Sequence, residues 1–234
     1  MSAPVPALVT MHLWRVPPRA LPAALGAMAR DRGRVRRTSG VRFAKLLGTG
    51  DGRTFTLRDT DLTRWGLLAT WSSAEAARDF ERSPVVRRWD GRATERWRAE
   101  LRPVASRGRW SRRAPFGEPR PEPTTGPVAA LTRARLDPRT AARFWRAVPP
   151  VSAELQGAPG LCAAVGIGEA PVGLQGTFSL WSSAADLRAF ASRAPAHLDA
   201  VRRTAEEGWY AEELFARFAV LSSTGTLDGR DPLA

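Results

Sequence analysis

Apolar and polar positions follow one order along the chain, and they follow it twice. Val9, Met11 and Leu13 recur at every second residue, the period of a strand with one buried face, and this sets His12 on the opposite face. Gly66-Leu-Leu-Ala-Thr and Gly176-Thr-Phe-Ser-Leu are both strand-like, and each runs into a tryptophan. From there Trp71-Ser-Ser-Ala-Glu-Ala-Ala-Arg-Asp-Phe80 matches Trp181-Ser-Ser-Ala-Ala-Asp-Leu-Arg-Ala-Phe190, with Trp, Ser-Ser-Ala, Arg and Phe at the same offsets. Upstream, Pro6-Ala-Leu-Val-Thr pairs with Pro127-Val-Ala-Ala-Leu as a first strand. A second strand pairs Ser39-Gly-Val-Arg-Phe with Pro159-Gly-Leu-Cys-Ala, and Trp97-Arg-Ala-Glu-Leu answers Tyr210-Ala-Glu-Glu-Leu near the end of each copy.

Each copy therefore reads strand, helix, strand, strand, helix, a helical or irregular segment, and strand. The first helix is predicted over 18–32 in copy one and 138–155 in copy two. Ser72 with Glu75, and Ser183 with Asp186, have the spacing of a capping box, in which a hydroxyl and a carboxylate satisfy free helix N–H groups. The βαββαβ order is the ferredoxin-like unit. The expected fold is α+β: two tandem ferredoxin-like repeats, 1–105 and 127–234, the second packed against the sheet face that the first leaves uncovered, as a homodimer does between chains. Residues 106–126, rich in Arg, Pro and Gly, read as a linker. The space between two curved sheets, or between sheet and helices, is a natural apolar pocket.

Composition narrows the chemistry. The net charge is +13, and Lys45 is the only lysine, so the basicity is carried by arginine. A basic surface suits phosphate partners, but the arginines are dispersed and no nucleic-acid reader motif is present, so no nucleic-acid function is expected. The same charge suits anionic lipid headgroups. No apolar run reaches the length of a membrane-spanning helix, and the N-terminus does not read as a signal peptide. With one cysteine, Cys162, no internal disulfide forms. A cytoplasmic protein, in peripheral contact with the inner face of the membrane if its substrate lives there, is the expectation.

The chain holds two histidines, His12 and His197. A multi-histidine zinc or iron site lacks ligands, and no nucleophile-elbow motif accompanies a Ser-His-Asp triad. Gly48-Thr-Gly-Asp-Gly52 has glycines in the wrong frame for a dinucleotide loop and reads as a turn. His12 reads as a solvated strand residue or a pocket residue. Cys162 reads as a small core residue, and the pairs Glu206-Glu207 and Glu212-Glu213 as solvated helix residues. His197 follows Pro195 in the first turn of a predicted helix. Aligning Pro84 with Pro195 places Val86 opposite it, so one copy has an apolar residue where the other has a metal-binding one. A single histidine suffices for heme, whose iron takes one axial protein ligand; the plainer reading is a half-buried helix histidine. Arg193, Arg202 and Arg203 flank His197 and are candidate partners for heme propionates.

Several segments together resemble the spheroidene monooxygenase family of carotenoid biosynthesis. They include Phe43-Ala-Lys-Leu-Leu-Gly-Thr-Gly50, Arg107-Gly-Arg-Trp-Ser111 with Pro115-Phe116, Ala130-Leu-Thr-Arg-Ala134 and Arg143-Phe-Trp145. Gly166-Ile-Gly-Glu169, Gln175-Gly-Thr-Phe-Ser-Leu-Trp181 and Gly208-Trp-Tyr-Ala-Glu-Glu-Leu-Phe-Ala-Arg-Phe218 complete the set. The resemblance implies oxygenation of an acyclic carotenoid, heme dependence and the dimeric α/β-barrel superfamily. Arg193-Ala-Pro-Ala-His197 is similar to the Ser-Pro-x-His-like segment that carries the proximal ligand in several heme members, without the serine. A hydrophobic small-molecule substrate and an external electron donor follow, since no flavin or nicotinamide motif is visible. Two alternatives remain on the same scaffold: a cofactor-free monooxygenase or isomerase with His12 or His197 as base, and a non-enzymatic apolar-ligand binder.

Overall fold

The structure is a computed structural model that describes residues 4–51, 53, 59–120, 122–136, 139–171 and 173–234, with the backbone alone for 141–146, 148 and 205. The first repeat runs β1 (Leu8–Arg15), a 3-10 turn (Pro18–Ala20), α1 (Leu21–Arg36), β2 (Val41–Gly50), β3 (Thr60–Trp71), α2 (Ala74–Glu81), α3 (Pro84–Asp90) and β4 (Glu95–Gly108). The second runs β5 (Val128–Leu136), α4 (Ala141–Gln156), β6 (Leu161–Gly168), β7 (Gly176–Trp181), α5 (Ala184–Arg193), α6 (Pro195–Glu207) and β8 (Tyr210–Gly225). The expected element order holds in both. The first helices begin later than predicted, at Leu21 and Ala141, and Pro138 lies outside the described residues.

Each repeat orders its strands as a ferredoxin-like sheet, and the two close into one antiparallel barrel, β1-β3-β2-β6-β7-β5-β8-β4. Closure removes the edges that either sheet alone would expose. The seams are unequal: Gly48–Gly50 meets Gly166–Gly168 at one, whereas Trp97–Gly108 runs along Leu214–Gly225 at the other. Inward-facing residues Val9, Met11, Leu13, Trp97, Phe178 and Phe218 fill the barrel, and the helices cover its outside.

Four expectations change. Leu8 pairs with Trp71 and Val128 with Trp181, so the first strands correspond one residue away from the Pro6–Pro127 alignment. A one-residue slip exchanges the faces, so the inward Val9, Met11 and Leu13 answer Ala129, Leu131 and Arg133. The cap of α2 is Ser73, whose hydroxyl accepts from the Ala76 amide, not Ser72; Ser183 caps α5 as expected. Gly48 to Gly50 belong to β2, not to a turn, and a side chain at Gly48 would collide with the Ala170 carbonyl; Gly52 lies outside the described residues. Finally, 106–126 is not only a spacer. Residues 106–108 end β4, and Trp110 and Phe116 insert into the barrel core.

Candidate functional site

The two helix-covered faces of the barrel differ sharply. In repeat one a continuous apolar layer joins helices and sheet, built from Trp14, Leu46, Trp65, Leu67, Trp71, Phe80, Val86 and Trp89 among others. In repeat two the corresponding buried cluster holds, among the described residues, Val128, Trp181 and Leu187.

Strand register supplies the residue-by-residue comparison. Trp14 and Trp65 pair across β1 and β3; the matching positions in repeat two are Ala134 and Gln175. His12 opposite Leu67 becomes Thr132 opposite Thr177, and Thr10 opposite Ala69 becomes Ala130 opposite Ser179. Leu46 on β2 becomes Gly166 on β6. Large side chains give way to small ones at the centre of the sheet, and the surface opens. Thr132 is exposed and Ala130, Ala164 and Thr177 are half-buried, where His12, Thr10 and Leu67 are inaccessible.

His197 stands at the helix side of this layer. Pro195 opens α6 as Pro84 opens α3, so His197 takes the helical position of Val86, which is fully buried beneath its own helix. Its ring packs on Phe190 of α5 at 5.1 Å, and Phe190 packs on Trp181 at 5.4 Å. Glu154 of α4 holds the first turn of α6: its two carboxylate oxygens accept from the amides of Ala196 at 2.9 Å and His197 at 3.1 Å. A carboxylate there also complements the positive end of the helix. Nδ1 of His197 is buried without a hydrogen-bond partner. Burial lowers the His197 pKa from 6.5, against the raising effects of Glu154 and the Ala191 backbone, so the ring is neutral near pH 7.

The other predicted residues lie close in sequence but differ in surroundings. Arg193 is exposed at the end of α5. Arg202 is exposed and engaged by Asp199 and Glu206. Arg203 pairs with Glu207 at 2.9 Å and lies 5.0 Å over the Trp209 ring. The side chains of Arg143, Phe144 and Trp145 are outside the described residues.

His12 corrects the expectation of a solvated strand residue. It is fully buried, stacked on Trp14 at 5.0 Å, with Nε2 3.2 Å from a Glu81 oxygen. Burial lowers its pKa and outweighs the raising effect of Glu81. Burial would raise Glu81, but contacts with His12 and Arg98 reverse this and bring its carboxyl down to about 2.

Sequence reasoning also missed a charged cluster inside one end of the barrel. Glu169 accepts from Trp110 Nε1 and from Arg133, both at 2.7 Å, and also pairs with Lys45. Glu212 pairs with Arg133 and accepts from the amides of Ser111 at 2.9 Å and Arg112 at 2.7 Å. Glu212 is thus a largely buried strand residue, not a solvated helix one. Lys45, Trp110, Arg133, Glu169 and Glu212 each belong to a segment that carried the family resemblance. Their meeting was the signal available in sequence, but nothing in the spacing brings them together. Buried charges are tolerated only when paired and hydrogen-bonded, and here they clasp the inter-repeat segment. A separate cleft of ≈ 390 Å³, between Arg15, Arg64, Asp51, Asp59, Asp61 and Asp228, is too polar for a hydrocarbon. Among the described residues no group of three or more His, Cys, Asp or Glu is placed to hold a metal ion, and no helix is long and apolar enough to cross a membrane.

A closed α/β barrel made from two fused ferredoxin-like repeats, with small residues on the sheet face of the second among the described residues, is a scaffold shared with small-molecule enzymes. It superposes on an aldoxime dehydratase in complex with butyraldoxime with a TM-score of 0.63, at 11% identity, covering 97% of this chain and 84% of that one. A second aldoxime dehydratase gives 0.59 at 13% identity, covering 94% and 84%. At such identity the likeness is one of fold. Sequence relatives define the class: a monooxygenase acting on a small molecule. The chain belongs to the spheroidene monooxygenase family. It is 40% identical over 200 residues to spheroidene monooxygenase of Rhodobacter capsulatus, covering 83% of this chain and 81% of the relative. It is 42% identical over 193 residues to that of Rubrivivax gelatinosus, covering 82% and 73%. Against the enzyme of Cereibacter sphaeroides it is 35% identical, spanning 60% of that longer chain. No family profile matches.

Proposed function

We propose that the protein is a heme-dependent monooxygenase of an apolar, acyclic carotenoid or a similar hydrophobic substrate, with His197 as the residue that would hold the heme iron. The observation that carries this reading is the neutral ring of His197, half-buried on α6 beside the small-residue sheet face of repeat two. A neutral imidazole is what an iron ligand requires. Glu154 fixes the first turn of α6 and thereby the ring. Arg193 is the candidate propionate partner; Arg202 and Arg203 would have to exchange their present carboxylates for that role.

Heme, when bound, supplies the activation of dioxygen. One oxygen atom would enter the substrate and the other would leave as water, with two electrons from an external donor and two protons from solvent. The protein's own part is to exclude water, with small residues at the sheet letting a long hydrocarbon lie close to the backbone. Thr132 and Thr177 are adjacent hydroxyls on this face, where the Ser179 hydroxyl is already engaged by Trp181, and are suited to orient an oxygen function. A cofactor-free reaction with His12 as base is disfavoured, because that ring is sealed in repeat one.

The test is the visible spectrum of protein purified with heme supplied. A Soret band that shifts or vanishes in His197→Ala is expected. A colourless active protein, or a band indifferent to that substitution, overturns the ligand assignment.

A further inference from the structure

The net charge of +13 is not spread evenly. Between residues 18 and 42 the chain carries Arg19, Arg30, Arg32, Arg34, Arg36, Arg37 and Arg42, and one acid, Asp31. Asp31 is fully buried and held by Arg34 at 3.0 Å and Arg88 at 2.8 Å, so no carboxylate of α1 reaches the surface. Buried Ala24, Ala27, Met28, Asp31 and Val35 face the sheet. On the opposite side Pro22, Leu25 and Ala29 recur at helical spacing and are exposed, Leu25 to 41%. Arg30 and Arg37 run along one side of this strip and Arg36 stands at its end, all exposed, while Arg34 is committed to Asp31. One exposed leucine between two small apolar residues, with arginines beside it and no surface acid on the helix, suits contact with an anionic lipid interface.

We infer that α1 docks the protein on an anionic lipid surface, with Leu25 at the headgroup boundary and the arginine stems reaching phosphates. The charge match selects a bilayer rather than an acidic protein because the centre of the face is apolar. The position suits the chemistry: Arg32 of α1 donates to the Glu169 carbonyl just beyond the end of β6, whose outward Ala164 and Gly166 border the open face of repeat two. The inference extends the functional proposal by naming the phase from which an apolar substrate arrives. Its test uses neither heme nor substrate, so the two stand or fall separately.

The experiment is co-sedimentation of the apoprotein with phosphatidylcholine vesicles, with and without phosphatidylglycerol, at low and high salt. Wild type should pellet with the anionic vesicles alone, and less so in salt. The variant Arg30→Gln/Arg36→Gln/Arg37→Gln should lose at least about tenfold in partition, since each interfacial arginine contributes roughly fivefold. Leu25→Glu should weaken binding without removing any arginine. A matched control, Arg120→Gln/Arg135→Gln/Arg217→Gln, removes the same charge from other exposed positions. Circular dichroism checks that each variant is folded. Wild type remaining in the supernatant at low salt, a folded α1 variant binding like wild type, or a control variant losing as much as the α1 variant overturns the inference.

Discussion

Ser72 and Ser73 are neighbours of identical chemistry, yet one caps a helix and the other does not. Ser73 has the extended backbone that lets its hydroxyl accept from the Ala76 amide at 3.1 Å. Ser73→Ala should cost about 1 kcal/mol in denaturant unfolding, and Ser72→Ala much less. His12 offers a second test. Its folded pKa lies below the unfolded value of 6.5, so the unfolded chain binds the proton more readily. Stability should therefore fall as the pH drops below about 6.5. In His12→Phe, which keeps an aromatic ring against Trp14, urea unfolding at pH 7 and pH 5 should show a smaller loss. His197 is lowered in the same direction, so part of the loss remains. Glu81 acts in a different window. Its folded value of about 2 makes its contribution present above the ordinary carboxylate range and lost as the pH falls through that depressed value.

At the scale of elements, β5 serves two interiors at once. Leu131 and Arg133 face the barrel, while Ala130, Thr132 and Ala134 face the helices. Restoring the residues of repeat one on the helix side, as in Thr132→His/Thr177→Leu, should reduce turnover of the proposed substrate roughly tenfold or more by filling this face. The midpoint of thermal unfolding should hold or rise; a folded variant with wild-type activity would mean that substrate lies elsewhere. The inter-repeat segment is equally specific. Trp110→Ala removes a side chain that is 1% exposed and bonded to Glu169, and should cost about 3–5 kcal/mol on denaturant unfolding. A loss below about 0.5 kcal/mol, the usual surface range, would show that the segment is only a tether.

The whole molecule is a ring of strands closed by one long seam and one short one. Opening should begin at the short seam, because local opening follows the thinnest set of hydrogen bonds. Amides of Gly48–Gly50 and Gly166–Gly168 should exchange with deuterium faster than those of Leu101–Arg107 and Phe215–Val220, read by mass spectrometry of peptides. The inverse order would place the weak point elsewhere. At this scale the sequence was most informative. The Trp-Ser-Ser-Ala marker and its flanks predicted the repeats, their element order and their folding as one body, and the family resemblance implied the barrel. Periodicity is a local property, and tryptophans at equal offsets in two copies, each fully buried, report the same packing.

The chain by itself determined the duplication, the candidate His197 with its counterpart Val86, and the family. Each is carried by residues near one another in sequence or by similarity along it. Three-dimensional structure decided the rest. A single step of register settled which residues of β1 and β5 face the barrel, because side chains alternate sides along a strand. Only the closed barrel brings Lys45, Trp110, Arg133, Glu169 and Glu212 to one buried cluster, since they come from five separate segments. And only the paired strands show that repeat two is small where repeat one is large, because an open face is a property of neighbours across a sheet, which no reading along the chain contains.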